Sequence, residues 1–165
     1  MSITTFELQQ ADIFYQLTPA QLEKISGITS EKTYNAGEVI FWEGTHGDEL
    51  YIIAQGEVDI MISPSLVSDR PRQDQEPATI ATLRRGQSFG EIALIDRGIR
   101  SASACAAQAN TRLLVIPSDQ LVALCDADAS LGYRLMRNLA ADLALKIRNT
   151  DLSIRGQLLY RKNFP

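Results

Sequence analysis

The sequence predicts a mainly β fold of the jelly-roll type with flanking helices, and three observations carry that reading. Between residues 31 and 62, β-branched and aromatic residues recur with a strand-like period and are cut by Gly37, Gly44, Gly47 and Gly56. Upstream, Thr18-Pro19-Ala20-Gln21 spells a capped helix start, with proline at the first helical position. Downstream, Leu131, Leu135, Leu139, Leu143 and Ile147 fall at four-residue spacing, the stripe of a long amphipathic helix.

Composition sets outer bounds. The chain has 165 residues, enough for one domain with a real core. An apolar fraction of 45% and a charged fraction of 22% are those of a globular protein rather than a disordered one. Sixteen basic against twenty acidic side chains give a formal charge of −4, which argues against nucleic acid as a partner. No apolar run approaches the ~20 residues of a membrane span, and the start lacks a signal pattern, so a cytoplasmic protein is expected. Cys105 and Cys125 have no metal-like spacing and read as reduced, buried thiols. His46 is the one histidine, too few to build a His-rich metal site on such a roll. No cofactor or metal is expected.

In chain order, residues 1–30 form an N-terminal helical segment, although 1–12 give little signal. Leu22 and Ile25 supply the buried face of a helix ending near Gly27. The roll then runs over 31–117, with Thr33, Val39, Phe41, Tyr51, Ile53, Val58, Ile60 and Ile62 fitting short strands with alternating faces. Residues 63–78 contain three prolines and mixed charge, the pattern of a surface loop between strands. Ile80 and Leu83 mark another strand, and Arg84-Arg85-Gly86 a solvated turn. Ser101 to Ala107 and Thr111 to Ile116 alternate as closing strands, the first with small alanines suited to lining a cavity. Ser118 or Asp119 should cap a short helix, and Asp128 a longer one from about Ala129 to Asn149. That places helices over 118–150 and leaves 151–165 as a tail or short terminal helix.

One stretch has a different character, residues 89–102, Phe-Gly-Glu-Ile-Ala-Leu-Ile-Asp-Arg-Gly-Ile-Arg-Ser-Ala. Gly90 precedes a short apolar helical turn whose N-terminal N–H groups suit an anion. Without a side chain there, backbone can come close to a phosphate, and Arg100 can meet phosphate oxygens with paired charge-assisted bonds. Glu91 cannot bind an anion, so in the same pocket it should accept hydrogen bonds from hydroxyls. A phosphate and a ribose held side by side is the ligand that this stretch describes.

These residues resemble the phosphate-binding cassette of the cyclic nucleotide-binding domain family, shared by catabolite-activator-type regulators and the regulatory subunits of cyclic-AMP-dependent protein kinase. The resemblance runs from about Phe14 to about Ile147 and includes Ala36-Gly37-Glu38-Val39-Ile40-Phe41 and Gly47-Asp48-Glu49-Leu50-Tyr51-Ile52-Ile53. It implies a double-stranded β-helix with an N-terminal helix and a long C-terminal helix. It also implies a ligand site of Phe89, Gly90, Glu91, Ile92, Ala93, Arg100, Ser101 and Ala102. In the family, the acid matching Glu91 takes the ribose 2′-hydroxyl, the arginine matching Arg100 takes the exocyclic phosphate, and the residue matching Ser101 also touches phosphate.

The expected function is that of a regulatory module that binds a cyclic nucleotide, cyclic AMP before cyclic GMP, and passes a helix shift to an effector protein. The alternative is a scaffold of the same fold without a physiological nucleotide. Family members read adenine with hydroxyl side chains on the long helix; here that region falls near Leu145, Lys146 and Ile147, with no Ser-Thr pair. A hydroxyl at Ser101 is compatible with cyclic GMP. Pairing of the 129–149 helix would give a homodimer. The family's transcription factors carry a DNA-binding module that this sequence does not show, so direct DNA binding is not expected. Catalysis is not expected either, because no nucleophile with its base or acid/base pair is apparent.

Overall fold

The structure, a computed structural model, describes residues 3–63, 77–96 and 98–163, with backbone only for Ile3, Ala93, Asp96 and residues 161–163. Most of the 63–78 loop lies outside these residues. Among the described residues, eight strands form two antiparallel four-stranded sheets. The first contains β1 (Ser30–Tyr34), β8 (Thr111–Pro117), β3 (Glu49–Gln55) and β6 (Ser88–Phe89), in that order. The second contains β2 (Val39–Phe41), β7 (Ser103–Ala106), β4 (Glu57–Ile62) and β5 (Ala78–Arg84). This is the jelly roll that the glycine-punctuated sequence predicts.

Two separate cores explain why β3 reads as a nearly unbroken apolar run. Tyr51 and Ile53 join Val58, Leu83, Phe89, Ala104, Leu113 and Val115 in a cluster inside the roll. Leu50, Ile52 and Ala54 alternate to the other face and pack with the helices. β8 divides likewise, Leu113 and Val115 inward, Leu114 and Ile116 outward. A strand covered on both faces loses the polar half of the alternation.

The helices on that outer face are α1 (Ile3–Gln9), a 3-10 turn (Asp12–Phe14), α2 (Pro19–Ser26), α4 (Ser118–Ala127) and α5 (Ala129–Asn163). The α2 start has the predicted reciprocal cap: Gln21 N–H donates to Thr18 Oγ1 at 3.3 Å, and Thr18 N–H to Gln21 Oε1 at 3.0 Å. Asp128 caps α5, accepting from Leu131 N–H at 3.1 Å. Leu131, Leu135 and Leu139 of α5 are fully buried against Leu94 and the outward residues of β3 and β8.

Residues 3–9 form the first helix of the N-terminal helical segment: its side chains Thr5 and Leu8 are buried, and Glu7 is paired with Arg112 on β8. That stabilisation is tertiary and leaves no local pattern. Two expectations need correction. Neither Ser118 nor Asp119 caps α4; the cap position is Pro117, while Ser118 is the first helical residue. Finally, the last helix does not stop near Asn149 but runs unbroken to Asn163, so the division into 118–150 helices and a 151–165 tail is replaced by one helix of 35 residues. Its length is about 52 Å at 1.5 Å per residue. No helix among the described residues is long and apolar enough to cross a membrane.

Two turns meet where the sheets converge. Gly44 N–H donates to Arg100 O at 2.8 Å and Arg100 N–H to Thr45 O at 2.7 Å, flanking a bridge between His46 and Ile99. The Arg100 side chain then passes Gly47, where an added Cβ would lie 2.2 Å from Nε and 2.3 Å from Cζ. Gly47 is outside the left-handed region, so space, rather than backbone angle, requires glycine. Gly47→Ala should therefore lower stability by about 1–3 kcal/mol in urea unfolding, as overpacking usually does. In an Arg100→Ala background most of that cost should vanish; an equal loss in both backgrounds would contradict the fit.

Candidate functional site

Arg100 is 5% exposed, an unusual degree of burial for a guanidinium. Its terminal nitrogens donate to two backbone carbonyls, Nη1 to Gly90 O at 3.1 Å and Nη2 to Glu49 O at 3.0 Å. The guanidinium carbon lies 4.2 Å from the ring centre of Phe41 and 5.5 Å from that of Tyr51. Those rings favour a cation through their faces. Buried Nε has no hydrogen-bond partner, and among the described residues no carboxylate pairs with this charge. A buried cation held by dipoles and rings alone is electrostatically incomplete. An anion beside Nε would complete it.

The surrounding residues hold the guanidinium in place. Phe89 stacks on Tyr51 with ring centres 5.0 Å apart, and Phe41 leans on both at 5.7 Å from Tyr51 and 5.9 Å from Phe89. Tyr51 also donates its hydroxyl to the Glu49 carboxylate. Burial, reinforced by that hydrogen bond, pushes the Tyr51 pKa upward, so it stays a neutral donor. Gly90 has φ +82°, and a Cβ there would lie 2.6 Å from Arg100 Nη1 and 3.0 Å from Glu49 O. Here the sequence-level reading of the glycine acquires its reason: it combines a left-handed backbone with close approach of the arginine.

Glu91 opens α3 (Glu91–Asp96) and is 5% exposed. Its Oε1 accepts from Lys146 Nζ of α5 at 2.9 Å. The same ammonium donates to Ser88 O at 2.9 Å and pairs with Asp142 Oδ2 at 2.8 Å. Burial acts to lower the Lys146 pKa, but Glu91 and Asp142 together outweigh it, and the net shift is upward. The ammonium stays charged at neutral pH, and its charge is lost as pH rises past that raised value.

The structure thus brings Phe89, Gly90 and Arg100 together, with Glu91 one residue beyond Gly90. Ile92 is 40% exposed and Ser101 is exposed, while Ala102 is half-buried. The Ala93 side chain lies outside the described residues. Ala104 and Ala106 are fully buried, in keeping with small residues facing a tight interior. Arg84 and Arg85 are solvated, and Arg84 pairs with Glu57 at 3.2 Å. Both cysteines are free but half-buried rather than buried as expected; partial desolvation raises their pKa values, in keeping with inert thiols. Sequence reasoning missed Phe41, Gly47, Glu49 and Tyr51 as partners of Arg100, and Lys146 as partner of Glu91. All five come from elements distant in sequence, and only Gly47 gave a local signal. A cavity of about 440 Å³ opens between the N-terminal helices and α5, lined by Gln9, Asp12, Tyr15, Asn138, Asp142 and Leu145 among others. It lies outside the roll and apart from Arg100.

Comparison with known proteins places this geometry. The family described as "Cyclic nucleotide-binding domain" matches residues 31–128. Over 147 residues the chain is 31% identical to the cyclic AMP receptor protein of Thermus thermophilus, spanning 89% of this chain and 62% of that protein. It is 31% identical over 109 residues to human cGMP-dependent protein kinase 2, 66% of this chain but 13% of the kinase. The crystal structure of Thermus thermophilus catabolite activator protein superposes with a TM-score of 0.70 at 31% identity, covering 91% of this chain and 63% of that one. The chain therefore spans less than two thirds of the length of these relatives. Its two-sheet roll, its cassette and its long helix identify it as a member of the cyclic nucleotide-binding domain family.

Proposed function

We propose that this chain is a cyclic nucleotide sensor, with cyclic AMP as the first ligand and cyclic GMP as the alternative. The exocyclic phosphate lies on Arg100 and the backbone from Gly90, with Ser101 at its edge, and the ribose 2′-hydroxyl donates to Glu91. One observation carries the reading: Arg100 is a buried cation with an orphaned Nε and no carboxylate partner among the described residues. A scaffold that had given up its ligand has no use for that arrangement, which costs desolvation and returns little. Cyclic AMP comes first because the relative named for it matches 89% of this chain, against 66% for the kinase named for cyclic GMP.

The output passes through the helices. Leu94 of α3 belongs to the same core as Leu131, Leu135 and Leu139 of α5, so a cassette that moves on binding pushes on α5. Such a ligand biases the helix only by its differential affinity for the two arrangements. Beyond the roll, α5 exposes Leu145, Leu152 and Leu159 at seven-residue spacing, each more than half exposed. That spacing suits pairing with a second copy as a two-stranded coil. The effector protein then reads the dimer's geometry.

Arg100→Ala should weaken binding by about 1.5–3 kcal/mol, roughly ten- to a hundredfold, the usual worth of a charge-assisted hydrogen bond. Calorimetry would measure it, and unchanged affinity would refute the phosphate role. Glu91→Gln should weaken a cyclic ribonucleotide more than its 2′-deoxy analogue; equal losses would refute the ribose role. For the dimer, sedimentation should show a twofold species at micromolar concentration that the pair Leu152→Lys and Leu159→Lys dissociates. A monomeric parent protein would remove the dimer from the account.

A further inference from the structure

Lys146 sits where three acceptors from three elements converge. A lysine ammonium has three N–H donors. Here they face Ser88 O at the end of the roll, Glu91 Oε1 at the start of α3 and Asp142 Oδ2 on α5 itself, all within 2.9 Å. The Glu91 side chain is 6% exposed and that of Lys146 29%. From Ile147 to Tyr160 every residue of α5 is exposed, whereas the Lys146 side chain is half-buried. Lys146 therefore ties the middle of the long helix to the body by an ion pair to the carboxylate assigned above to the ribose.

We infer that Lys146 is a latch, holding α5 over Glu91 until a nucleotide ribose displaces it. The inference rests on the sensor reading above and adds what the binding site must give up. With Lys146 in place, Glu91 has almost no exposed surface, so a ribose hydroxyl reaches it only after the ammonium and the helix turn carrying it withdraw. Leaving Glu91 buried without any partner is costly, which makes exchange of ammonium for hydroxyl concerted with helix movement. Each ligand-binding event then frees α5 from about residue 142 onward. Nucleotide affinity is lowered by the fraction of molecules that are latched.

Lys146→Met removes the ammonium while keeping the length of the side chain. Amide hydrogen exchange without nucleotide should show faster exchange over residues 142–160 in this variant, with the roll strands unchanged as the check on folding. Its affinity for cyclic AMP or cyclic GMP, whichever the parent protein prefers, should rise about three- to tenfold as the latched population is lost. Equal or weaker affinity in the variant, beside measurable binding by the parent protein, overturns the latch alone. Unchanged exchange in α5 overturns it as well. Binding by the variant but not by the parent protein supports a latch that is normally shut. No binding by either, with cyclic AMP and cyclic GMP both tried, overturns the sensor reading and the latch with it.

Discussion

The guanidinium of Arg100 is the constraint around which the described structure is arranged. A permanent positive charge, 5% exposed, has to be neutralised or surrounded by dipoles. Two backbone carbonyls and two aromatic faces supply part of what it needs, and each dictates local sequence. Gly47 lacks a side chain because the arginine occupies that volume. Gly90 lacks one because the backbone must turn left-handed beside the same group. Phe41, Tyr51 and Phe89 hold one another and the charge in place. What remains unsatisfied is Nε, and an exocyclic phosphate has the charge and the acceptors to satisfy it.

The second organising feature is the double use of β3 and β8. Their inward residues wall the roll, and their outward residues found the helical core. The strands that wall the roll are thus the strands on which the helices rest. Leu94 places the cassette in that helical core directly. Close-packed side chains transmit displacement rather than absorb it, so in the proposed sensor a movement of the cassette would reach α5 through this core. The Lys146 ion pair adds a polar tie near the middle of the same helix.

Much of this was legible in the chain and some was not. The roll could be read because turns need particular residues, and glycines between β-branched runs advertise them. Thr18 and Gln21 announced their helix for the same reason, since a reciprocal cap is a local interaction. Residues 3–9 gave no such signal; Leu8 and the Glu7–Arg112 pair fasten them to a strand a hundred residues away. The end of α5 was misplaced because the apolar stripe at four-residue spacing stops at Ile147, yet Thr150 Oγ1 donates back to Lys146 O at 3.0 Å and the helix continues. At the site, Gly90, Glu91 and Arg100 stood out as an ordered set within eleven residues. Phe41, Glu49, Tyr51 and Lys146 did not, because ordinary strand and helix residues acquire their roles only when the sheets and α5 close around the arginine and the acid.

The most direct test of the central claim is calorimetric titration of cyclic AMP and cyclic GMP into protein unfolded and refolded to strip any carried-over ligand. The account predicts saturable binding of at least one of them, one nucleotide per chain, with a matching rise in thermal stability. Neither heat nor thermal shift with either nucleotide would contradict it, and Arg100 would then be a buried cation without a cyclic nucleotide to explain it.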